Sequence, residues 1–252
     1  MPTRAIIDMP IKVVLESGVL ERLGVELASM GTRKVGVVTD RPLMQMCSAF
    51  IESLRRATTE VKGVFLCEAL EPPSVESAAE LFGDCDAIVS IGGWLASSLS
   101  MYLAGELGVT HVAVATPPGI GYPLERAPVP LRGAHATKMQ FRRPALVVLD
   151  PAAANFSAEQ LAAEVAMLSA KGCILGVSNS LASILARDAM AELKASLEKG
   201  GAEELYFAAF LASVSNGLLR GAATSALARA MHALYGADPF LAELAVFPCW
   251  LA

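Results

Sequence analysis

The sequence predicts an α/β chain: a parallel sheet flanked by helices over residues 1–150, followed by an all-helical part over 151–252. Two observations predict it. Short, nearly continuous β-branched runs recur up to residue 150 with helical stretches between them, the pattern of strands covered on both faces. After Asp150-Pro151 the strand signals stop and alanine-rich helical patterns take over.

The strand runs come in order. Lys34-Val35-Gly36-Val37-Val38-Thr39-Asp40 is a buried-strand run ending in a polar pair, and Val61 to Leu66, Asp86 to Ile91, His111 to Ala115 and Ala145 to Leu149 are four more. Between them, Val19 to Met30 sets Leu20, Leu23, Leu27 and Met30 on one side of a helix. Pro42 to Arg56 opens with proline at an allowed first-turn position. Ser74 to Phe82 follows Pro72-Pro73, with Ser74 as candidate N-cap. This alternation gives a doubly wound, Rossmann-like sheet. In the second part, Ala158 to Lys171, Ser178 to Lys199, Ala202 to Leu218 and Ala222 to Leu234 read as helices, broken by Gly172, Gly176, Gly200-Gly201 and Gly221. A last helix runs from about Pro239 to Leu251. Pro117 to Arg143 is a long connection rich in Pro, Gly and Arg, of the kind that is usually functional or mobile.

Composition removes several classes of function. A net charge of −5 with no basic stripe argues against nucleic acid as a partner. Five scattered cysteines with no CxxC pair fit reduced thiols in the cytoplasm, and neither a disulfide framework nor a thiolate metal site. The mean hydropathy of +0.50 is high. The uncharged stretch Leu205 to Leu219 is nevertheless interrupted by Ser213, Ser215, Asn216 and Gly217, and it is shorter than the ~20 apolar residues a bilayer needs. No membrane is expected, and the N-terminus lacks a signal-peptide core. The apolar excess points instead to a homo-oligomer, with Leu205–Leu219 and Phe247-Pro248-Cys249-Trp250-Leu251 at the interface.

Three segments carry candidate chemistry. Asp86 to Gly93 is a strand running into a Gly-Gly turn and a helix, where Gly92 and Gly93 let a backbone approach a phosphate and the helix N-terminus offers free N–H groups. A plain strand-to-helix turn reads the same way. Thr39-Asp40 closes a strand, and its carboxylate can accept the hydroxyls of an adenosine ribose or cap the helix beginning at Pro42. Thr116, with Gly119 in Thr116-Pro117-Pro118-Gly119-Ile120-Gly121, can line the same cleft or form a rigid loop. Of the histidines, His111 starts a strand, His135 lies in the long connection and His232 sits near a helix end. Neither HExxH nor a Ser-His-Asp spacing is present.

Taken in order, Ser17-Gly18, Thr39-Asp40, Glu71-Pro72, the Asp86-to-Gly93 turn, Ala115-Thr116, Pro144 to Pro151, Met231-His232-Ala233-Leu234 and Phe247-Pro248 resemble the iron-containing alcohol dehydrogenase and dehydroquinate synthase superfamily. The resemblance implies a dehydroquinate synthase-like fold, with NAD(P) held by Asp40, Gly92, Gly93, Thr116 and Gly119 and with His232 as the catalytic residue. It also exposes departures. The family's glycine turn continues with a third Gly, Ser, Asp and Lys, where this chain has Trp94, Leu95, Ser98 and Met101. Trp94 falls where a pyrophosphate sits. The family's metal ligands map to Leu168, Gly172, Ala228 and the Pro239–Ala242 segment, and a rearranged site could use Glu164, one helical turn before Leu168, but has no histidine partners for it. Hence no metal is expected, since Leu, Gly, Ala and Pro offer none of the N/O ligands a Lewis acid needs. Two functions follow: a degenerate homologue keeping the fold for binding a small molecule or nucleotide or for assembly, or an NAD(P)-dependent oxidoreductase acting on a small alcohol, polyol or aldehyde with a metal-free or rearranged site.

Overall fold

A computed structural model describes residues 12–57, 59–116, 122–124, 128–132, 140–153, 157–176, 179–219, 223–239 and 241–245. Its six strands are β1 (Lys12–Leu15), β2 (Lys34–Asp40), β3 (Glu60–Cys67), β4 (Ala87–Gly92), β5 (Thr110–Ala115) and β6 (Leu146–Leu149). They form one sheet in the order β1-β6-β5-β4-β2-β3, with every pairing parallel.

Helices α1 (Leu23–Ser29), α2 (Met44–Arg56), α3 (Pro72–Phe82) and α4 (Trp94–Leu107) connect the strands. The period-two alternation of the strands divides their side chains between two layers. Val35, Val37, Val89, Ile91, Val112, Val114, Leu146 and Val148 pack with Leu23, Leu27, Phe50 and Leu54 of α1 and α2. On the opposite face, Val38 and Ile88 meet Val75, Phe82, Leu99 and Leu103 of α3 and α4. Further along that face Ala113, Ala115, Val147 and Leu149 meet a helical layer. That layer is built from α5 (Ala158–Leu175), α6 (Ser180–Lys199) and α7 (Ala202–Leu218), and α8 (Ala223–Tyr235) follows it. A closing helical segment comprises residues 239 and 241–245. No described residue after Leu149 is in a strand. The helical layer therefore shares its core with β5 and β6.

Several local expectations change. β1 is an additional strand at the sheet edge, paired with β6 although more than 130 residues separate them in sequence. Val19 to Met30 is a 3-10 turn over Val19–Arg22 followed by α1, and a second such turn over Arg41–Leu43 precedes α2. Glu71 occupies the N-cap of α3 with Pro72 in the first turn, so Ser74 lies inside the helix. Gly172 does not break a helix: it lies within α5. There α7 and α6 approach so closely that a Cβ at 172 would sit 2.3 Å from Ser215 Oγ and 2.6 Å from Ala186 Cβ. Leu205 to Leu219 is mostly core, with Leu205, Tyr206, Ala208, Ala209 and Ala212 buried among α5–α7 and Phe207 exposed. Phe247 to Leu251 lies outside the described residues. No helix among the described residues is long and apolar enough to cross a membrane.

Candidate functional site

β2 and β4 lie side by side, yet the chain leaves them in opposite directions, through α2 to β3 at one edge and through α4 to β5 toward the other. Open α/β sheets place their ligand crevice at such a switch point, beyond the carboxyl ends of the strands. Asp40, Gly92, Gly93 and Thr116 all fall there, at the ends of β2, β4 and β5. The strand ends are tied together: Thr39 Oγ1 donates to Ile91 O at 2.9 Å, and Thr116 N to Gly92 O at 3.2 Å. Thr116 Oγ1 is buried with no partner. Gly119 and His135 lie outside the described residues.

The crevice is occupied by the chain's own side chains. Asp40 Oδ2 accepts from Gly93 N at 2.9 Å and Oδ1 accepts from Ala96 N at 3.0 Å. The carboxylate thus caps α4, and it makes no side-chain cap bond to the turn beginning at Arg41. The cap that the sequence offered, on the helix beginning at Pro42, is not made; the carboxylate instead caps a helix more than fifty residues away. A Cβ at residue 92 would lie 2.4 Å from Asp40 Oδ2, so the glycine is what lets the carboxylate reach the helix end. Burial outweighs the two backbone donors and pushes the Asp40 pKa up to about 6. A second anion brought to this helix end meets the charge already there.

Trp94, the first residue of α4, packs against the core under α3 and α4 and reaches the helical layer. Its Nε1–H donates to Asp238 Oδ2 at 2.9 Å, and its ring meets His232 edge-on at 4.9 Å between centroids. His232 is buried, and its Nδ1 lies 2.9 Å from Ala237 O. A carbonyl only accepts, so Nδ1 carries the proton and Nε2 presents its lone pair. That Nε2 has no hydrogen-bond partner. Asp238 Oδ1 in turn accepts from Leu241 N at 2.9 Å, capping the closing helix. Trp94, His232 and Asp238 therefore bridge the sheet side of the crevice to the helical side. His111 is elsewhere, inside β5: its Nε2 bonds Ser90 Oγ at 2.9 Å, and burial holds its pKa down at about 3.

The residues present do not fit the metal that the resemblance implies. Leu168, Ala228 and Ala242 are buried apolar side chains, and the helix contacts at Gly172 leave no room for any side chain. Among the described residues no three His, Cys, Asp or Glu side chains converge. Glu164 is buried in the helical layer, where burial first, and then the charges of Asp150 and Glu164, push the Tyr206 pKa up. A cation is already present beside these positions. Lys171 is fully buried on α5, and its Nζ donates to Glu243 Oε1 of the closing helix at 2.5 Å.

Residues 10–151 match the family of iron-containing alcohol dehydrogenases. The fold and that match make this chain a member of the iron-containing alcohol dehydrogenase family. The structure resembles an iron-containing alcohol dehydrogenase of Thermotoga maritima with a TM-score of 0.80 at 17% identity, over 95% of this chain and 76% of that one. An NADH-dependent butanol dehydrogenase A of Thermotoga maritima gives 0.75 at 19% identity, over 98% and 73%. A maleylacetate reductase of Agrobacterium tumefaciens gives 0.76 at 16%, over 96% and 73%. At these identities the likeness is one of fold. No curated protein matches the sequence.

Sequence reasoning missed Lys171, Glu243 and Asp238. One signal was present: Lys171 is a lone charge among Met167, Leu168, Ser169, Ala170, Gly172 and Cys173 of an otherwise apolar helical run. A charge in such a run needs a buried partner.

Proposed function

We propose that this chain keeps the family fold for a binding or assembly role and does not carry out the metal-dependent step. The observation that carries this reading is the packing at the positions where the family's ligands would fall, and above all the 2.3 Å between a Cβ at residue 172 and Ser215 Oγ. Polarising an alcohol or carbonyl with a metal takes about three or four converging N/O ligands. The test is turnover of short alcohols and aldehydes with NAD(H) and NADP(H), with and without added Zn²⁺ or Fe²⁺. The reading expects no metal-stimulated turnover, and a metal-dependent rate above background would contradict it.

A second reading is a metal-free NAD(P)-dependent oxidoreductase acting on a small alcohol, polyol or aldehyde. Its support is His232 Nε2, a buried lone pair at the crevice with no partner, which can take a proton from a hydroxyl. The solved neighbour described as NADH-dependent is in keeping with that cofactor. Turnover in EDTA that is lost in His232→Gln would favour this reading over the first. For assembly, Leu227, Leu234, Tyr235, Leu241 and Leu244 on α8 and the closing segment are exposed and support a homo-oligomer. Light scattering reads this directly, and a monomer of 26.3 kDa would refute it.

A further inference from the structure

Buried lysines are rare, because removing an ammonium from water is costly unless a partner takes its charge. Lys171 has no exposed side-chain surface, and its partner Glu243 is nearly as buried. The two lie 72 residues apart in sequence and join α5 to the closing helix. Lys171 directly precedes Gly172 and lies within one turn of Leu168, the two α5 positions where the resemblance puts metal ligands. Glu243 directly follows Ala242, in the segment where the last ligand would fall. The ammonium and its carboxylate thus occupy the neighbourhood in which a divalent cation would tie these same two segments together.

We propose that the Lys171–Glu243 pair replaces the divalent cation of the family as the link between α5 and the closing helix. The link has a consequence at the crevice. The closing helix begins at Asp238, whose side chain caps it through Leu241 N and holds Trp94 Nε1. Fixing that helix through Glu243 therefore fixes Asp238 and, through it, the Trp94 indole. Lys171 is a positioning residue here: it acts through Glu243, the helix and Asp238. Both side chains are almost fully buried, so removing either member strands the charge of the other.

This inference deepens the reading that the metal-dependent step is absent, and its test does not depend on turnover. The protein is expressed with Zn²⁺ and Fe²⁺ supplied, and metal content and thermal midpoint are measured for wild type, Lys171→Met, Glu243→Gln and the double variant Lys171→Met/Glu243→Met. Tryptophan emission is followed in a Trp250→Phe background. The expected metal content is below about 0.1 equivalent per chain, with no change of midpoint in EDTA. Each single variant should lower the midpoint by about 10 °C, because it strands a buried charge or its partner, and the double variant should recover most of that loss. The single variants should also shift Trp94 emission to longer wavelength as the ring is released toward water, and the double variant, lacking the link, should keep part of that shift.

A stoichiometric metal whose removal lowers the midpoint would overturn the proposal, and so would single variants as stable as wild type. If Lys171→Met gives no soluble protein, the double variant decides: recovery supports the pair and failure to recover overturns it. Missing turnover together with a bound structural metal would sink this inference and leave the functional reading standing. Metal-stimulated turnover would sink that reading first.

Discussion

Replacing Asp40 by asparagine separates the charge of the α4 cap from its shape. The wild-type carboxylate accepts from Gly93 N and Ala96 N, and its pKa rises from 3.8 to about 6 because burial disfavours the ion more than the two donors favour it. A carboxyl whose folded-state pKa is raised holds a proton that the unfolded chain has released over the window from 3.8 to about 6. Stability therefore falls as pH rises through that window. Acidifying from about pH 7.5 to about pH 5 should strengthen the wild type by about 1.4 kcal/mol through this group alone. For a chain of this size that is a rise in thermal midpoint of about 4 °C. Asparagine does not titrate and should lack the increment. Its absolute stability is a poorer guide. The amide keeps one acceptor, sets its NH₂ against the other backbone donor at a cost of about 1 kcal/mol, and sheds the buried charge in the same step. Asp84, held down at about 2 by Lys34 and Lys62, titrates with the opposite slope but is present in both proteins and cancels in the difference. The assay is a pair of thermal melts on each protein at the two pH values. Parallel pH dependence would refute the buried-cap account. A wild type that loses stability relative to the variant on acidification would reverse its sign.

Other perturbations give equally direct readings. Gly172→Ala should destabilise the fold by about 1–3 kcal/mol, since its Cβ would enter the space of Ser215 and Ala186, and chemical denaturation measures this. Trp94→Phe removes the donor to Asp238 and should cost about 1 kcal/mol by the same method. Ser90→Ala leaves the buried His111 Nε2 without its partner and should cost about 1–2 kcal/mol with no change in any ligand binding.

Much of this architecture was legible in the sequence because it rests on local pattern. The runs that became β2 to β6 carry their own hydrophobic signature, and α6 to α8 their own helical one. β1 was not legible, because four residues carry little periodicity and its strand character comes from pairing with β6 more than 130 residues later. Gly172 was misjudged for a related reason. A glycine inside a helical pattern signals a break, but here the neighbouring helices demand an absent side chain. At the crevice, the placement of Asp40, Gly92, Gly93 and Thr116 followed from strand ends alone. What Asp40 does there did not, since its partners belong to α4, 53 and 56 residues on. The Lys171–Glu243 pair was the least accessible feature, because no spacing rule links a lone lysine to a glutamate in another helix.

The central claim is that a lysine–glutamate pair stands where this family's cation would bind. Crystals grown with Fe²⁺ or Zn²⁺ and NADH, with data collected on either side of the metal absorption edge, test it most directly. The account predicts no anomalous peak between α5, α8 and the closing helix, with Lys171 Nζ within hydrogen-bond distance of Glu243. A metal-edge peak there, with Lys171 displaced from Glu243, would contradict it.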